Sequence, residues 1–173
     1  MNPPPASAAP AWDTSFAPGG AVFDQFGGVN ELHVADANGT PTLFVAGSFT
    51  SIGGMPASNI AGFTSQGWSS LNAGLDSEVF GMTTHPIGGT PRVVVGGFQM
   101  LGTSAVMAWW DGALWHPIGG GPPVNWTVGV GSFDSGNGPE LYVSGGFILP
   151  DNTGYVARWN GSACNRPRSA PRR

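Results

Sequence analysis

Short apolar stretches that alternate with polar residues run through most of the chain, separated by turns rich in glycine and proline. Such alternation over four to eight residues is the mark of half-buried strands. Three stretches match closely: FVAGSF ending at Phe49, VVVGGF ending at Phe98 and YVSGGF ending at Phe147, a step of 49 residues each time. Each is followed by a second matching stretch: Asn59-Ile60-Ala61-Gly62-Phe63, Val106-Met107-Ala108-Trp109-Trp110 and Tyr155-Val156-Ala157-Arg158-Trp159. A turn comes next (TSQG, DG or NG), and then Trp68, Trp115 or Cys164. Upstream of each unit lie ELHVAD, VFGMTT and WTVGVGS, which lead through NGTP, GGTP and GNGP into the following strand.

The pattern predicts four strands per unit. The first strands fall at 30–36, 79–84 and 126–132, and the second at 42–49, 92–98 and 140–147. The third fall at 59–64, 105–110 and 155–159, and the fourth at 67–72, 114–118 and 162–164. Asp111-Gly112 and Asn160-Gly161 are two-residue hairpin signals between third and fourth strands. Gly47, Gly96 and Gly145 sit inside the second strands, where glycine marks a bulge or a close backbone approach. No stretch has a 3.6-residue period.

Four antiparallel strands in a unit of about 40–50 residues is the arithmetic of a β-propeller blade. The expected fold is all-β: a partial propeller of three blades, at about 29–75, 76–121 and 122–164. A blade has two apolar faces and must stack on its neighbours, so recurring large aromatics belong to shared cores. Phe49, Phe98 and Phe147 recur at one position and Phe63, Trp110 and Trp159 at another, which assigns all six to the core.

LFVAGSFTSIGGMPASNIAGF and VARWNGSA resemble the tandem repeats of large, mostly bacterial extracellular proteins, with blades of the Kelch or galactose-oxidase-like type. In such repeats a YVGGxF strand precedes an IAxWDGxxW hairpin. The resemblance covers about residues 29–164 and is best in the second unit, at Trp109-Trp110-Asp111-Gly112-Ala113-Leu114-Trp115. The first unit departs, with Phe63-Thr64-Ser65-Gln66-Gly67 in place of Trp-Asp-Gly. The resemblance implies a propeller and an extracellular setting. It carries over no catalytic residue, because the shared positions are structural.

Composition narrows the function. Only 9% of residues are charged, which excludes a solvated helical or coiled-coil protein. There is no lysine, and Arg166, Arg168, Arg172 and Arg173 are crowded at the end, so the body is acidic. An acidic body argues against tracking a phosphate backbone, and no nucleic-acid partner is expected. No apolar run is long enough to span a membrane. Cys164 is the single cysteine, which rules out an intrachain disulfide and a cysteine-based zinc site. The first residues, MNPPPASAAPAW, do not read as a signal peptide.

Candidate chemistry is thin. Asp36-Ala37-Asn38-Gly39 and Asp134-Ser135-Gly136-Asn137-Gly138 look faintly like calcium loops, but hairpin turns account for them and no metal or cofactor is expected. His33, His85 and His116 are scattered. A copper site like that of galactose oxidase needs tyrosines and a crosslinked cysteine, whereas Tyr142, Tyr155 and Cys164 occupy repeat positions. Glu31, Glu78 and Glu140 supply the only thinkable glycosidase pair, and exposed polar positions explain them as well. Trp109 and Trp126 do not recur, and a non-recurring tryptophan on a β scaffold can stack on a sugar or enter an interface.

Residues 1–28 are expected to be a Pro/Ala-rich segment holding the remnant of a preceding blade around Trp12 and Phe16-Ala17-Pro18-Gly19. Residues 165–173 are expected to be a disordered Arg/Pro-rich tail in a shifted reading frame, since TGG CAA CCG for Trp-Gln-Pro reads as Cys164-Asn165-Arg166 once one G is lost. The reading is therefore a non-catalytic scaffold or interaction module, a fragment of a larger extracellular protein. A lectin-like propeller using Trp109 and Trp126 is the alternative, and a glycan-active enzyme the third. The partner is an unknown protein or glycan, and open terminal blades offer self-association.

Overall fold

The computed structural model describes residues 21–22, 27–120, 127, 129–149, 152 and 154–167. It is all-β and contains no helix among those residues, so none is present to cross a membrane. The strands are β1 (Ala21–Val22), β2 (Gly28–Ala37), β3 (Thr40–Ser48), β4 (Ser51–Ile52), β5 (Met55–Pro56), β6 (Ile60–Thr64) and β7 (Gly67–Ser69). They continue as β8 (Val79–Ile87), β9 (Thr90–Gly97), β10 (Met107–Trp110), β11 (Trp115–Pro117), β12 (Gly129–Asp134), β13 (Pro139–Ile148), β14 (Gly154–Trp159) and β15 (Cys164–Asn165). Three antiparallel four-stranded sheets follow chain order: β2-β3-β6-β7, β8-β9-β10-β11 and β12-β13-β14-β15. No sheet closes on itself.

The sheets pack face against face, because each second and third strand is apolar on both sides. Between the first and second sheets lie Phe44, Ala46 and Ile60 against Val93, Val95, Ala108 and Trp110. Between the second and third lie Val94 and Met107 against Leu141, Val143 and Ala157. Neighbouring sheets touch chiefly through their first strands, β2 with β8 and β8 with β12. Hydrogen bonds lock these strands together. Asn30 Nδ2 donates to the Val79 carbonyl at 2.9 Å, His33 Nε2 meets Thr84 Oγ1 at 2.8 Å, and His85 Nδ1 meets Ser132 Oγ at 2.9 Å.

The second sheet departs from the 49-residue step by one residue. Val45 pairs with Ala61, Val95 with Ala108 and Val143 with Ala157. The sequence match would instead align Val45 with Val94. A slip of one residue turns every side chain to the other face. Phe49 and Phe147 are accordingly buried, whereas Phe98 is 41% exposed, with its ring edge-on to Phe80 at 5.2 Å. Met100, fully buried, fills the core beside that turn instead. The assignment of Phe98 to the core is thus corrected.

The glycines obey the same shift. Gly47 faces Val29 and Gly97 faces Val79, each beside a bulge in the first strand. A Cβ at Gly47 would collide with the Gly28 carbonyl, and one at Gly97 with that of Glu78. The bulge glycine of the second sheet is therefore Gly97, not Gly96. A Cβ on Gly96 would press into the side chains of Thr127 and of Val130 on β12. Gly145 lies in the register break between Ser144 and Ile148.

One element was not anticipated. The connection from β3 to β6 forms the hairpin β4–β5, which pairs with β1. It covers part of the outer face of the first sheet, where Phe49, Ile52 and Ala57 pack on Val45 and Ala61. The other terminal face is partly polar: Arg158 pairs with Glu140 at 2.5 Å, and Tyr142 donates its hydroxyl to the same carboxylate at 3.0 Å. Neither end is the wholly bare apolar face expected. The remnant around Trp12 and the last residues, 168–173, lie outside the described residues.

Candidate functional site

Trp109 stands at the centre of β10, between Val94 on β9 and His116 on β11. Alternation sends Ala108 and Trp110 toward the first sheet, and Met107 and Trp109 toward the third. The indole is half-buried and already engaged. The His116 ring stacks on it at 4.6 Å with 23° between planes, and the Arg92 guanidinium carbon lies 5.7 Å from its centroid. His116 Nε2 donates to Asp111 Oδ2 at 2.6 Å. Asp111 Oδ1 accepts the Ala113 and Leu114 N–H groups, each at 2.7 Å. The His116 hydrogen bond, aided by those two backbone N–H groups, pulls the Asp111 carboxyl down to about 2. Arg92 donates to the Asp111 carbonyl at 2.7 Å.

Trp109 lines a cavity of about 320 Å³ with Ile87, Ile118 and Trp159. A polar cavity of about 490 Å³, lined by His85, Asn137, Glu140, Arg158, Trp159 and Asn160, adjoins it at the Trp159 indole. Together they form a groove along the edge of the second and third sheets, aromatic at one end and polar at the other. Burial lowers the pKa of His85, so its ring is neutral at pH 7.

The groove has a local cause. Across β6–β7 Phe63 faces Trp68, and across β10–β11 Trp110 faces Trp115, ring on ring at 5.0 and 5.1 Å. Across β14–β15 Trp159 faces Cys164. The thiol occupies far less space than an indole, and Trp159 is left half-buried at the mouth of both cavities. Its Nε1 donates to the Gly119 carbonyl at 3.1 Å. Burial pushes the Cys164 thiol up to about 11, so it stays protonated and weakly nucleophilic at neutral pH.

Sequence reasoning paired Trp109 with Trp126, but the structure brings Trp109 together with Trp159. Trp126 lies outside the described residues. The readable signal was Cys164 standing where a tryptophan recurs. Trp110 is buried, as are Phe49 and Phe147, while Phe63 is half-buried.

The carboxylates serve local structure. Asp36 accepts the Gly39 N–H, and Asp134 accepts those of Gly136 and Gly138, so both close hairpin turns. Glu140 is held by Arg158, and Glu78 accepts from Asn30 at 3.0 Å. No family model, no curated protein and no solved structure matches this chain.

Proposed function

We propose that the chain is a non-catalytic scaffold or interaction module: an arc of a β-propeller belonging to a larger extracellular protein of the kind its repeats resemble. The observation that carries this reading is the way the three sheets stack. Neighbouring four-stranded sheets meet chiefly through their first strands, a contact that propeller blades would make near their axis. The polar groups near these cavities are spent on this framework: His116 on Asp111, Arg92 on the turn after β10, and Glu140 on Arg158 and Tyr142. A hydrolase needs an acid and a base presented to substrate. Chromogenic glycosides and esters should therefore give no turnover above buffer. Turnover abolished by Glu140→Gln would overturn the reading.

A second reading, a carbohydrate-binding module, is favoured by the groove itself. Half-buried Trp159 beside Asn137, Asn160 and neutral His85 offers one stacking surface and several hydrogen-bonding groups. A glycan array probed with the chain and with Trp159→Ala decides it. Signals lost in the variant support the lectin, and an array blank for both supports the scaffold.

A further inference from the structure

The two internal interfaces are built by one rule. The forward face of each sheet meets the rear face of the next, and their first strands join side chain to side chain. At the second interface His85, forward, meets Ser132, to the rear. The pairing registers fix which residues hold those positions in the other sheets. His85 lies opposite Arg92, three residues before Val95, and Phe133 lies opposite Glu140, three residues before Val143. Phe133 is thus the His85 of the third sheet. Ser132 lies opposite Leu141, two before Val143, and Val34 opposite Leu43, two before Val45. Val34 is thus the Ser132 of the first sheet.

These positions lie on the two outer faces of the stack. Val34 is 71% exposed and Leu32 beside it 59%, whereas Met82, which matches Leu32 in the second sheet, is 6% exposed. Phe133 is 62% exposed at the other end. Where an internal interface joins a histidine to a hydroxyl, the two outer faces carry a phenylalanine and a valine. Each would be poorly matched to a polar partner and well matched to the other. The Glu140–Arg158 pair on the forward face is internally neutralised, so covering it buries no lone charge.

We propose that this face pair is a contact between two copies of the chain, the third sheet of one stacking on the first sheet of its partner with Phe133 against Val34 and Leu32. The proposal rests on the propeller reading of the three sheets, and it sets a second copy where the fragment reading sets the flanking blades of a longer protein. Made twice, the contact closes two three-sheet arcs into a ring of six, within the usual range of about four to eight blades. The joint is head-to-tail, and its closure by a two-fold axis stops it from running on into a fibre.

Sedimentation of the full chain tests this first. A particle of two chains is expected. Val34→Asp and Phe133→Asp should each weaken pairing by roughly 100-fold or more, because a carboxylate would be pressed into apolar surface. Both side chains are exposed in the single chain, so the unfolding midpoint of a diluted sample should hold and exclude misfolding. Direction is tested in a Cys164→Ser background. Val34→Cys mixed with Phe133→Cys should form a disulfide-linked pair on oxidation, and neither should bridge to itself. Several results would overturn the proposal: a single-chain particle at every concentration, pairing indifferent to both aspartates, self-bridging of either variant, or sedimenting particles of more than two chains. A single chain that still unfolds cooperatively would sink the pairing and leave the module reading standing. Turnover of a substrate would do the reverse.

Discussion

The second and third sheets have the same strand order, yet the tryptophan that ends the third strand is buried in one and half-buried in the other. The difference comes down to the residue opposite one tryptophan. Trp110 lies against Trp115, whose Nε1 reaches the Leu71 carbonyl of the first sheet at 3.2 Å. Trp159 lies across from Cys164 and stays half-buried. Between these two sheets, the cross-strand partner separates a buried tryptophan from one left at the groove.

The comparison breaks most sharply at these two indoles. Trp110→Ala should lower stability by about 3–5 kcal/mol, from lost transfer free energy plus an unfilled cavity. Trp159→Ala, at a cavity that is already open, should cost less than half as much. Urea titrations of both variants measure the gap. Equal losses would mean that the third sheet is packed as tightly as the second, and that the groove is closed in solution.

The one-residue shift of the second sheet comes next in size. Met100→Ala removes a fully buried side chain and should cost about 2–5 kcal/mol. Phe98→Ala should cost about 1 kcal/mol, since the residue is already partly in water. Were the repeat aligned on sequence alone, the order would reverse. The same titrations decide between the two registers.

Much of the fold could be read from the chain because alternation and turn chemistry act locally. The four strands of every unit fall within a few residues of where VVVGGF, Asp111-Gly112 and their counterparts put them. The β4–β5 hairpin was missed because Ser51-Ile52 and Met55-Pro56 are too short to alternate; tertiary contact with Phe49 and Ala57 holds them. The shift at Gly96-Gly97 was hidden because either glycine satisfies the motif, and only the bulge opposite Val79 selects one. The groove was half legible. Trp109 stood out by not recurring, but Trp159 recurs and looked like core, and its exposure depends on a cysteine two strand ends away in sequence.

A smaller effect is expected from restoring the missing ring. Cys164→Trp should set an indole against Trp159, as Trp115 is set against Trp110. Such an aromatic pair is worth about 0.5–1.5 kcal/mol beyond the area it buries. The unfolding midpoint should rise and tryptophan emission shift to the blue. A fall in midpoint would show that the groove lacks room for the ring, and that its width is set by the backbone and not by Cys164.

The smallest effect concerns acid, and it separates the first-strand contacts from the groove. His33 and His85 both lie between first strands, and burial lowers the pKa of each below 6.5, in His33 against an opposing influence of Glu31. The unfolded chain then binds protons more readily than the folded chain as pH falls through the unfolded value. Stability should decline on going from neutral pH to below 6.5, and the decline should level off once pH passes the folded values. Asp111 acts lower and for the opposite structural reason. Its folded pKa is depressed to about 2 from 3.8, so its contribution is present above the unfolded value and disappears between roughly pH 4 and pH 2. The upper window opens below 6.5 and the lower one below about 4, so variants can assign them. His85→Asn should flatten the upper slope and leave the lower one, and Asp111→Asn should do the converse. Midpoints recorded across both windows provide the measurement. An upper slope unchanged in both His85→Asn and His33→Asn would mean that neither ring is buried between the sheets, and the inner stacking of first strands would have to be redrawn.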